Sequence, residues 1–348
     1  MAVVDLAKDP IARRIFGKIH IPVVTTTVAR HEQDCDKMCW LLPISPKNLR
    51  RKPMTLFIRA LGFFIAFSIS FGYQSIAYGQ QTGKLRTFFA ADYEKKIAAV
   101  VNADNSVGLQ IPIKDIHDAQ LLPNGNWLLQ TTFTEVVEVD SKGKEVWRYK
   151  PAPENGKVEI HAFRRLDSGL TMVAESGTTR IVEVNKEGAI VHSTPLKVST
   201  PNPHRDTRLV RITSGGTYLV AHEGEKCIRE YDRAGVIVWE FEVGSQLYSA
   251  VRLNNGNTLV GTGDGHRVIE VTKDKKIVWE LKENELDGVK LAWVTMVDRL
   301  PNGNTWIVNC HAGPNHPQIL EVTPDKKVVW SFKDFERFGN ALPVAIAM

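Results

Sequence analysis

The chain repeats one pattern of apolar and polar positions five times between residues 134 and 334. Each copy has an apolar stretch centred on Glu, then a turn, then a second apolar stretch with an aromatic residue nine positions after the Glu. The pairs are Glu138–Trp147, Glu183–His192, Glu230–Trp239, Glu270–Trp279 and Glu321–Trp330, and successive glutamates lie 45, 47, 40 and 51 residues apart. Alternation with period two predicts β-strands, and a repeat of this length is typical of propeller blades.

A second hairpin precedes each Glu-to-aromatic hairpin. Its turns are Leu122–Gly125, Leu166–Gly169, Ile212–Gly215, Leu253–Gly256 and Leu300–Gly303. Glycine at the end of such a turn accepts the positive φ that a tight hairpin requires. The pattern therefore predicts blades of four antiparallel strands, A to D. The A–B and C–D turns share the bottom face, and the D–A and B–C connections share the top face.

The sixth blade has to be assembled from both ends of the chain. Residues 86–90 fit a strand B, and residues 96–108 fit the second hairpin with Ala99 and Gly108 in place of Glu and Trp. Residues 341–348 supply the missing strand A, which closes the ring and removes an open sheet edge. We predict an all-β, six-bladed propeller over residues 84–348, with the recurring Glu and Trp residues joining neighbouring blades.

The segment before the propeller has the pattern of an export signal. Basic residues precede the uncharged run 60–72, which is too short to cross a bilayer core but fits the apolar part of a signal peptide. Small residues at Ala77 and Gly79 offer cleavage sites. We predict a signal peptide over residues 54–79, export to the periplasm or cell exterior, and a misassigned start for residues 1–53. The alternative is a retained membrane anchor.

Charge is unevenly distributed along the chain. The net charge is +5, but residues 1–79 carry +6 and the remainder carries −1. The propeller therefore has no basic field for nucleic acid. Cys35 and Cys39 lie in the leader and are poor evidence for a metal site. Cys227 and Cys310 fall two blades apart and either pair or remain buried thiols.

Histidines gather on the predicted top face. His117, His161 and His204 lie at the starts of strands A, and B–C connections carry His222, His266, His311 and His316. Tyr248 and Trp293 take the corresponding strand A positions in the fourth and fifth blades. The same face carries Arg180, Arg205 and Arg267. Only His192 among the propeller histidines lies elsewhere, so the pattern predicts a site on the top face.

Three kinds of chemistry fit these residues. Imidazole and guanidinium groups suit a sulfate, phosphate or carboxylate. The candidate catalytic residues are His117, His161, His204 and His311, and the candidate binding residues are Arg180, Arg205, Arg267, Tyr248, Trp293, His222, His266 and His316. The same imidazoles with Asp and Glu could hold a metal, although no H-x-H or H-x-x-x-H spacing selects particular ligands. The third possibility is a surface for a glycan or a protein.

Two stretches carry a family resemblance. The sequence His117-Asp-Ala-Gln-Leu-Leu-Pro-Asn-Gly-Asn-Trp-Leu128 resembles the blade motif of bacterial arylsulfotransferases, as does the stretch from His161 to Arg180. The resemblance implies an exported six-bladed propeller that transfers a sulfuryl group between phenols through a sulfated histidine. His117 and His161 match motif histidines, Arg180 matches the motif arginine, and Arg267 is a second candidate.

Residues 138–147 are also similar to the propeller repeat of quinoproteins. Those dehydrogenases use eight blades, a quinone and calcium, so six blades with few clustered carboxylates indicate a shared repeat rather than a bound quinone. We expect an exported propeller that binds a small anionic or aryl ligand, a glycan or a protein on its top face. Sulfuryl transfer and metal binding are the alternatives, and membrane contact is expected only through an uncleaved signal segment.

Overall fold

The computed structural model describes residues 80–152 and 156–348, which fold into six antiparallel sheets. The predicted leader 1–53, the predicted signal peptide 54–79 and the two leader cysteines lie outside the described residues. Within the described ranges, no helix is long and apolar enough to cross a membrane.

The strands follow the predicted blade pattern, with four strands to a blade. The N-terminal strands are β1 (Gln80–Gly83), β2 (Phe88–Asp92), β3 (Ile97–Val101) and β4 (Val107–Pro112). Blade I contains β5 (Ala119–Leu121), β6 (Trp127–Thr132), β7 (Glu135–Val139) and β8 (Glu145–Tyr149). Blade II contains β9 (Glu159–Arg165), β10 (Thr171–Ser176), β11 (Arg180–Val184) and β12 (Ile190–Pro195).

The second half of the chain repeats the arrangement. Blade III contains β13 (Val210–Ile212), β14 (Tyr218–His222), β15 (Cys227–Tyr231) and β16 (Ile237–Glu242). Blade IV contains β17 (Ser249–Arg252), β18 (Thr258–Gly261), β19 (Val268–Val271) and β20 (Ile277–Leu281). Blade V contains β21 (Trp293–Arg299), β22 (Thr305–Cys310), β23 (Ile319–Val322) and β24 (Val328–Lys333). The short helix α1 (Phe335–Phe338) and the last strand, β25 (Val344–Ala347), follow.

The predicted ring closure is confirmed. Strand β25 pairs with β2, with Ala347 opposite Phe88, so blade VI has the order β25-β2-β3-β4. The chain ends therefore complete one sheet, and the all-β, six-bladed architecture is as predicted from the repeats.

Two features differ from the predicted pattern. Strand β1 was not predicted, because Gln80–Gly83 is short and polar, yet it pairs with β24 as a fifth strand on the outer edge of blade V. The predicted A–B turn of blade III at Gly215 is wrong by one residue. Gly216 has the positive φ, because Thr213 pairs its backbone with Thr217 around the turn.

The recurring Glu and Trp join neighbouring blades through an arginine of the next blade. Arg252 of blade IV lies 4.8 Å from the ring of Trp239 in blade III and 2.5 Å from Glu230 of the same blade. The same joint recurs as Glu138–Arg165–Trp147, Glu270–Arg299–Trp279 and Glu321–Arg86–Trp330. Asparagines of the A–B turn add bonds to the glutamate in three of these blades. Each joint thus gives a matched cation to a glutamate that is buried, or in blade III partly buried.

The joint between blades II and III lacks both the tryptophan and the arginine. His192 stands at the Trp position and Ile212 at the Arg position, and Glu183 is bonded instead by Tyr218 and Arg233. His192 keeps one feature of the tryptophans, since its Nε2 lies 3.1 Å from the Arg233 carbonyl, just as Trp239 Nε1 lies 2.8 Å from the Lys273 carbonyl. His192 therefore takes the structural place of the tryptophan at this joint.

Strand A is the innermost strand of each blade, and the A strands of adjacent blades contact one another. Residues at the starts of strands A on the top face therefore surround the ring axis. Strand C is third from the axis, so residues at its start lie farther out. This radial order decides which predicted residues meet.

Candidate functional site

A cavity of about 480 Å³ opens on the top face at the ring axis, and we call it the axial pocket. It is lined by Tyr93, Asp115, His117, Phe133, His204, Arg205, Arg208, Glu223, Gln246, Tyr248, Trp293, Thr295, Cys310, His311 and Pro343. Six of the predicted site residues are among them: His117, His204, Arg205, Tyr248, Trp293 and His311.

His117 is held by bonds on both sides of its buried ring. Arg208 Nη1 lies 3.1 Å from Nε2, and Tyr248 Oη lies 2.8 Å from Nδ1. Because a guanidinium only donates, Nε2 accepts and Nδ1 carries the proton that it donates to Tyr248. The Tyr248 hydroxyl donates in turn to the His117 carbonyl at 3.2 Å. Burial, followed by the charges of His161 and Arg208, lowers the pKa of His117 well below its ordinary value.

His161 lies behind the pocket wall, with no exposed surface. Its Nδ1 lies 2.7 Å from the Thr207 carbonyl and donates to it, which leaves Nε2 facing Glu159 Oε2 at 3.2 Å. Burial lowers the pKa of His161 to about 4, against the opposing effect of Glu159.

Glu159 connects His161 with His204. Its Oε2 is 2.7 Å from His204 Nδ1, and its Oε1 is 3.3 Å from Lys157 Nζ. Burial opposes the charge of Glu159, but its close contacts with His161 and His204 hold its pKa below its usual range. Glu159 was not predicted as a site residue. Its place two residues before His161 on one strand was the available signal, because alternate residues share a face.

Two arginines at the pocket share one carboxylate. Arg208 Nε pairs with Glu223 Oε2, and Arg205 Nε lies 3.5 Å from Glu223 Oε1. Arg208 is buried and also lies over the Tyr248 ring, whereas half of the Arg205 side chain is exposed. The two guanidinium groups therefore have one carboxylate between them, and the half-exposed Arg205 lines the pocket.

On the opposite wall, Tyr93 and His311 are paired. Tyr93 Oη lies 3.2 Å from His311 Nε2, and burial raises the pKa of Tyr93 to about 12. Tyr93, Phe133, Glu223 and His311 are each the first residue after a strand B, so this position points to the axis in blades VI, I, III and V. Tyr93 and Phe133 were not predicted because neither belongs to a polar pattern.

The other predicted residues lie away from the pocket. Arg180 pairs with Glu175 at 2.6 Å, and Arg267 pairs with Glu280 at 2.7 Å, both at the start of a strand C. The remaining three are histidines. His222 is buried between the Asp206 carbonyl and Tyr231, His266 bonds the Ala292 carbonyl, and His316 lies near Gly288 and Lys290 in an exposed loop.

The cysteines of the propeller remain unbridged. Cys227 and Cys310 are both free and buried, which removes the alternative that they pair. Burial raises the pKa of Cys227 to about 12 and raises that of Cys310 further. Neither thiol is therefore activated as a nucleophile.

A second cavity, of about 460 Å³, lies at the bottom end of the axis and is lined in part by Arg164, Arg211 and Asp298. The buried carboxylate of Asp118 accepts from both arginines at 2.9 Å. These cations are thus already engaged. Arg205 and Arg208 of the axial pocket share Glu223 in a similar way.

Comparison with known proteins places the fold and the family. The family model described as outer membrane protein assembly factor BamB matches residues 135–314, slightly more than half of the chain. A crystal structure of a protein of unknown function from Bacteroides caccae has a TM-score of 0.67 and 24% identity, covering 75% of this chain and 98% of that one.

Two lyase structures are more distant. A streptogramin B lyase and a virginiamycin B lyase from Staphylococcus aureus have TM-scores of 0.53 and 0.51, with 12% identity each. They cover 75% and 72% of this chain, and 87% of each lyase chain is covered. No match was found among curated proteins. At these identities the structural likeness shows the fold alone. The family match over residues 135–314 and the propeller repeats together show that the chain belongs to the PQQ_2 family of BamB-like propeller proteins.

Proposed function

We propose that this protein binds a small aromatic anion in the axial pocket. The observation that carries the proposal is the convergence of Arg205 with Trp293 and Tyr93 around one cavity at the ring axis. Its volume of about 480 Å³ lies within the usual range for small-molecule sites.

Arg205 is the residue that would bind the anionic group of the ligand. This side chain is half exposed and has a single ion pair, at 3.5 Å to Glu223, which Arg208 already binds closely. A carboxylate or sulfate in the pocket would give the guanidinium a bidentate partner. The aromatic ring of the ligand is assigned to the walls formed by Tyr93, Phe133 and Trp293, which offer flat apolar surface.

A calorimetric titration tests the proposal with two probes, 4-hydroxybenzoate and the neutral 4-hydroxybenzyl alcohol. We expect the anion to bind at least tenfold more tightly, and Arg205→Gln to remove that preference. Arg267→Gln is the matched control, because Arg267 lies outside the pocket and has its own carboxylate partner. Equal binding of the two probes, or equal losses in the two variants, would contradict the proposal.

A protein partner on the top face is the alternative occupant, because the matching family is named for an assembly factor. The alternative predicts no saturable binding of either small probe. It also predicts that a partner recovered by crosslinking from the native source is lost in Trp293→Ala but retained in the outlying His316→Ala.

The contact between His204 and Glu159 favours a second candidate, sulfuryl transfer. His204 lines the pocket, and a carboxylate on Nδ1 orients an imidazole whose Nε2 can react. Nε2 would attack the sulfur of an aryl sulfate, and the bond from sulfur to the phenol oxygen would break as the phenolate leaves. A second phenol, losing its proton, would then take the sulfuryl group and return the imidazole. Arg205 would hold the sulfate, since Arg180 and Arg267 lie outside the pocket.

Incubation with 4-nitrophenyl sulfate and phenol tests this candidate. It predicts that wild type and His316→Ala release nitrophenol, whereas His204→Ala does not. Absence of release from wild type removes sulfuryl transfer and leaves the binding proposal to the calorimetric titration.

We also propose that the protein works outside the cytoplasm, since the basic residues before the uncharged run 60–72 have the order of an export signal. We expect the mature chain in a periplasmic or culture fraction to begin at Tyr78 or Gln80, as determined by N-terminal sequencing. A mature chain that begins before Met54 would contradict both export by this signal and the proposed start.

A further inference from the structure

Three histidines from successive blades converge on the inner wall of the axial pocket. One ring nitrogen of each of His117, His161 and His204 lies within 4.8 Å of the others. His161 lies in the A strand of blade II, and His117 and His204 precede the A strands of blades I and III, so the ring geometry brings them together although successive histidines are more than 40 residues apart. We propose that this histidine triad, with Glu159, binds a divalent transition metal ion of the zinc class.

The bonds on Nδ1 fix how two of the rings face the centre. His161 donates from Nδ1 to the Thr207 carbonyl, and His117 donates from Nδ1 to the Tyr248 hydroxyl. Metal-binding histidines commonly donate their other ring N–H to such a group, which sets the tautomer and the ring direction. In both residues the unprotonated Nε2 is then the nitrogen that can bind a metal.

Glu159 supplies the strongest argument for a cation. Its Oε2 lies 3.2 Å from His161 Nε2, although the bond to Thr207 places the proton of a neutral His161 on Nδ1. A carboxylate oxygen and an imidazole lone pair would then face each other, and two acceptors at this distance need a proton or a metal ion between them. A metal ion at this point would bind both, and a second proton on His161 is the competing explanation.

The donor set selects the kind of metal. Three imidazoles and a carboxylate suit zinc and its first-row neighbours, whereas magnesium and calcium prefer oxygen ligands. The ligand atoms of a tetrahedral zinc ion lie about 3.4 Å apart. The three ring nitrogens lie within 4.8 Å of one another. Each ring therefore has to move towards the centre of the triad by about 1 Å or less to bind zinc.

Arg208 competes with the metal for His117. Its Nη1 donates to His117 Nε2 at 3.1 Å, so metal binding has to replace that bond. Arg208 keeps Glu223 as its partner through Nε when the bond to His117 is broken. Because this exchange needs no new partner for the guanidinium, it is compatible with a site that fills and empties.

Metal content and titration of the untagged full chain test the site without any aromatic ligand. After chelation and dialysis, we expect one zinc ion to bind per chain, and cobalt to give the visible absorption of a tetrahedral site. Magnesium at the same concentration should not compete. His204→Ala and the isosteric Glu159→Gln should each weaken zinc binding at least tenfold, as measured by competition with a chromogenic chelator.

Two controls keep the result interpretable. His316→Ala removes an exposed histidine outside the triad and should bind zinc as wild type does. Cys227→Ser removes the only other group of possible ligands among the described residues, Cys227 with Glu240 and Glu242. No bound zinc in wild type, or binding lost in Cys227→Ser but kept in His204→Ala and Glu159→Gln, overturns the proposal. Because neither readout uses an aromatic anion, failure here leaves the proposed pocket ligand untouched.

Discussion

The blade joints and the axial pocket use charged residues in opposite ways. At a joint such as Glu230–Arg252–Trp239, the ions are paired one to one, and the arrangement recurs in four of the six joints. In the pocket, Arg205 and Arg208 share Glu223. Glu159 faces two histidines, His161 and His204. The contact of one glutamate with two histidines occurs at a single place among the described residues.

The difference separates residues that build the ring from residues that the ring positions. A joint repeats because every blade must pack against the next, so its charges serve stability. The cluster of Glu159 with His161 and His204 is not part of the repeated joint, and packing one blade against the next does not require it. Local departures of this kind are expected at functional sites.

The largest effect on stability is expected from breaking a joint. Arg252→Ala removes the ion pair with Glu230 and the contact with Trp239, and leaves a half-buried carboxylate with only the Thr217 hydroxyl. We expect the free energy of unfolding to fall by about 3 kcal/mol, measured in urea. A loss below about 0.5 kcal/mol would show that the joints do not hold the ring together.

Acid is expected to weaken the fold through buried histidines outside the joints. Burial lowers the pKa of His222 to about 4, so the unfolded chain binds a proton below about 6.5 that the folded chain does not. The contribution of neutral His222 to the free energy of unfolding is complete above pH 6.5 and decreases as the pH falls towards 4. We expect about 2 kcal/mol to be lost between pH 7 and pH 5. His222→Gln should lose about 2 kcal/mol less over the same interval, and an unchanged dependence on pH would contradict this assignment.

A smaller, opposite effect is expected from repairing the joint between blades II and III. His192→Trp combined with Ile212→Arg restores the missing pair beside Glu183. We expect the double variant to be about 1 kcal/mol more stable than wild type, and more stable than the two single changes predict together. Additive or destabilising results in a thermodynamic cycle would show that the pair does not form there.

The smallest effect on stability is expected in the pocket. Arg205 is half exposed and only 3.5 Å from Glu223, so Arg205→Gln should change the free energy of unfolding by less than about 0.5 kcal/mol. Binding of 4-hydroxybenzoate should nevertheless fall at least tenfold in the same preparation. A loss of stability as large as that of Arg252→Ala would place Arg205 with the joints instead.

The repeats predicted the fold because strand alternation and turn glycines recur with every blade. Ring closure followed from the missing strand A at the N-terminal end. Strand β1 could not be found in this way, since its pairing depends on the free edge of β24 and not on its own four polar residues. The one-residue error at Gly215 arose because blade III has two adjacent glycines in the turn.

The site was predicted only in part, because the sequence assigned a face but not a distance from the axis. Residues just before strands A, such as His117 and Tyr248, reach the axis, whereas Arg180 and Arg267 lie at the starts of strands C and outside the pocket. In four blades the first residue after strand B reaches the pocket, and His311 holds this position whereas His266 does not. Roles for the predicted residues in binding or catalysis stay predictions until they are measured.

A crystal structure of the protein soaked with 4-hydroxybenzoate tests the central claim most directly. We expect the carboxylate on Arg205 and the ring between Trp293 and Tyr93 at the top end of the axis. Density at Arg164 and Arg211 in the bottom cavity, or an empty axial pocket at saturating ligand, would contradict the claim.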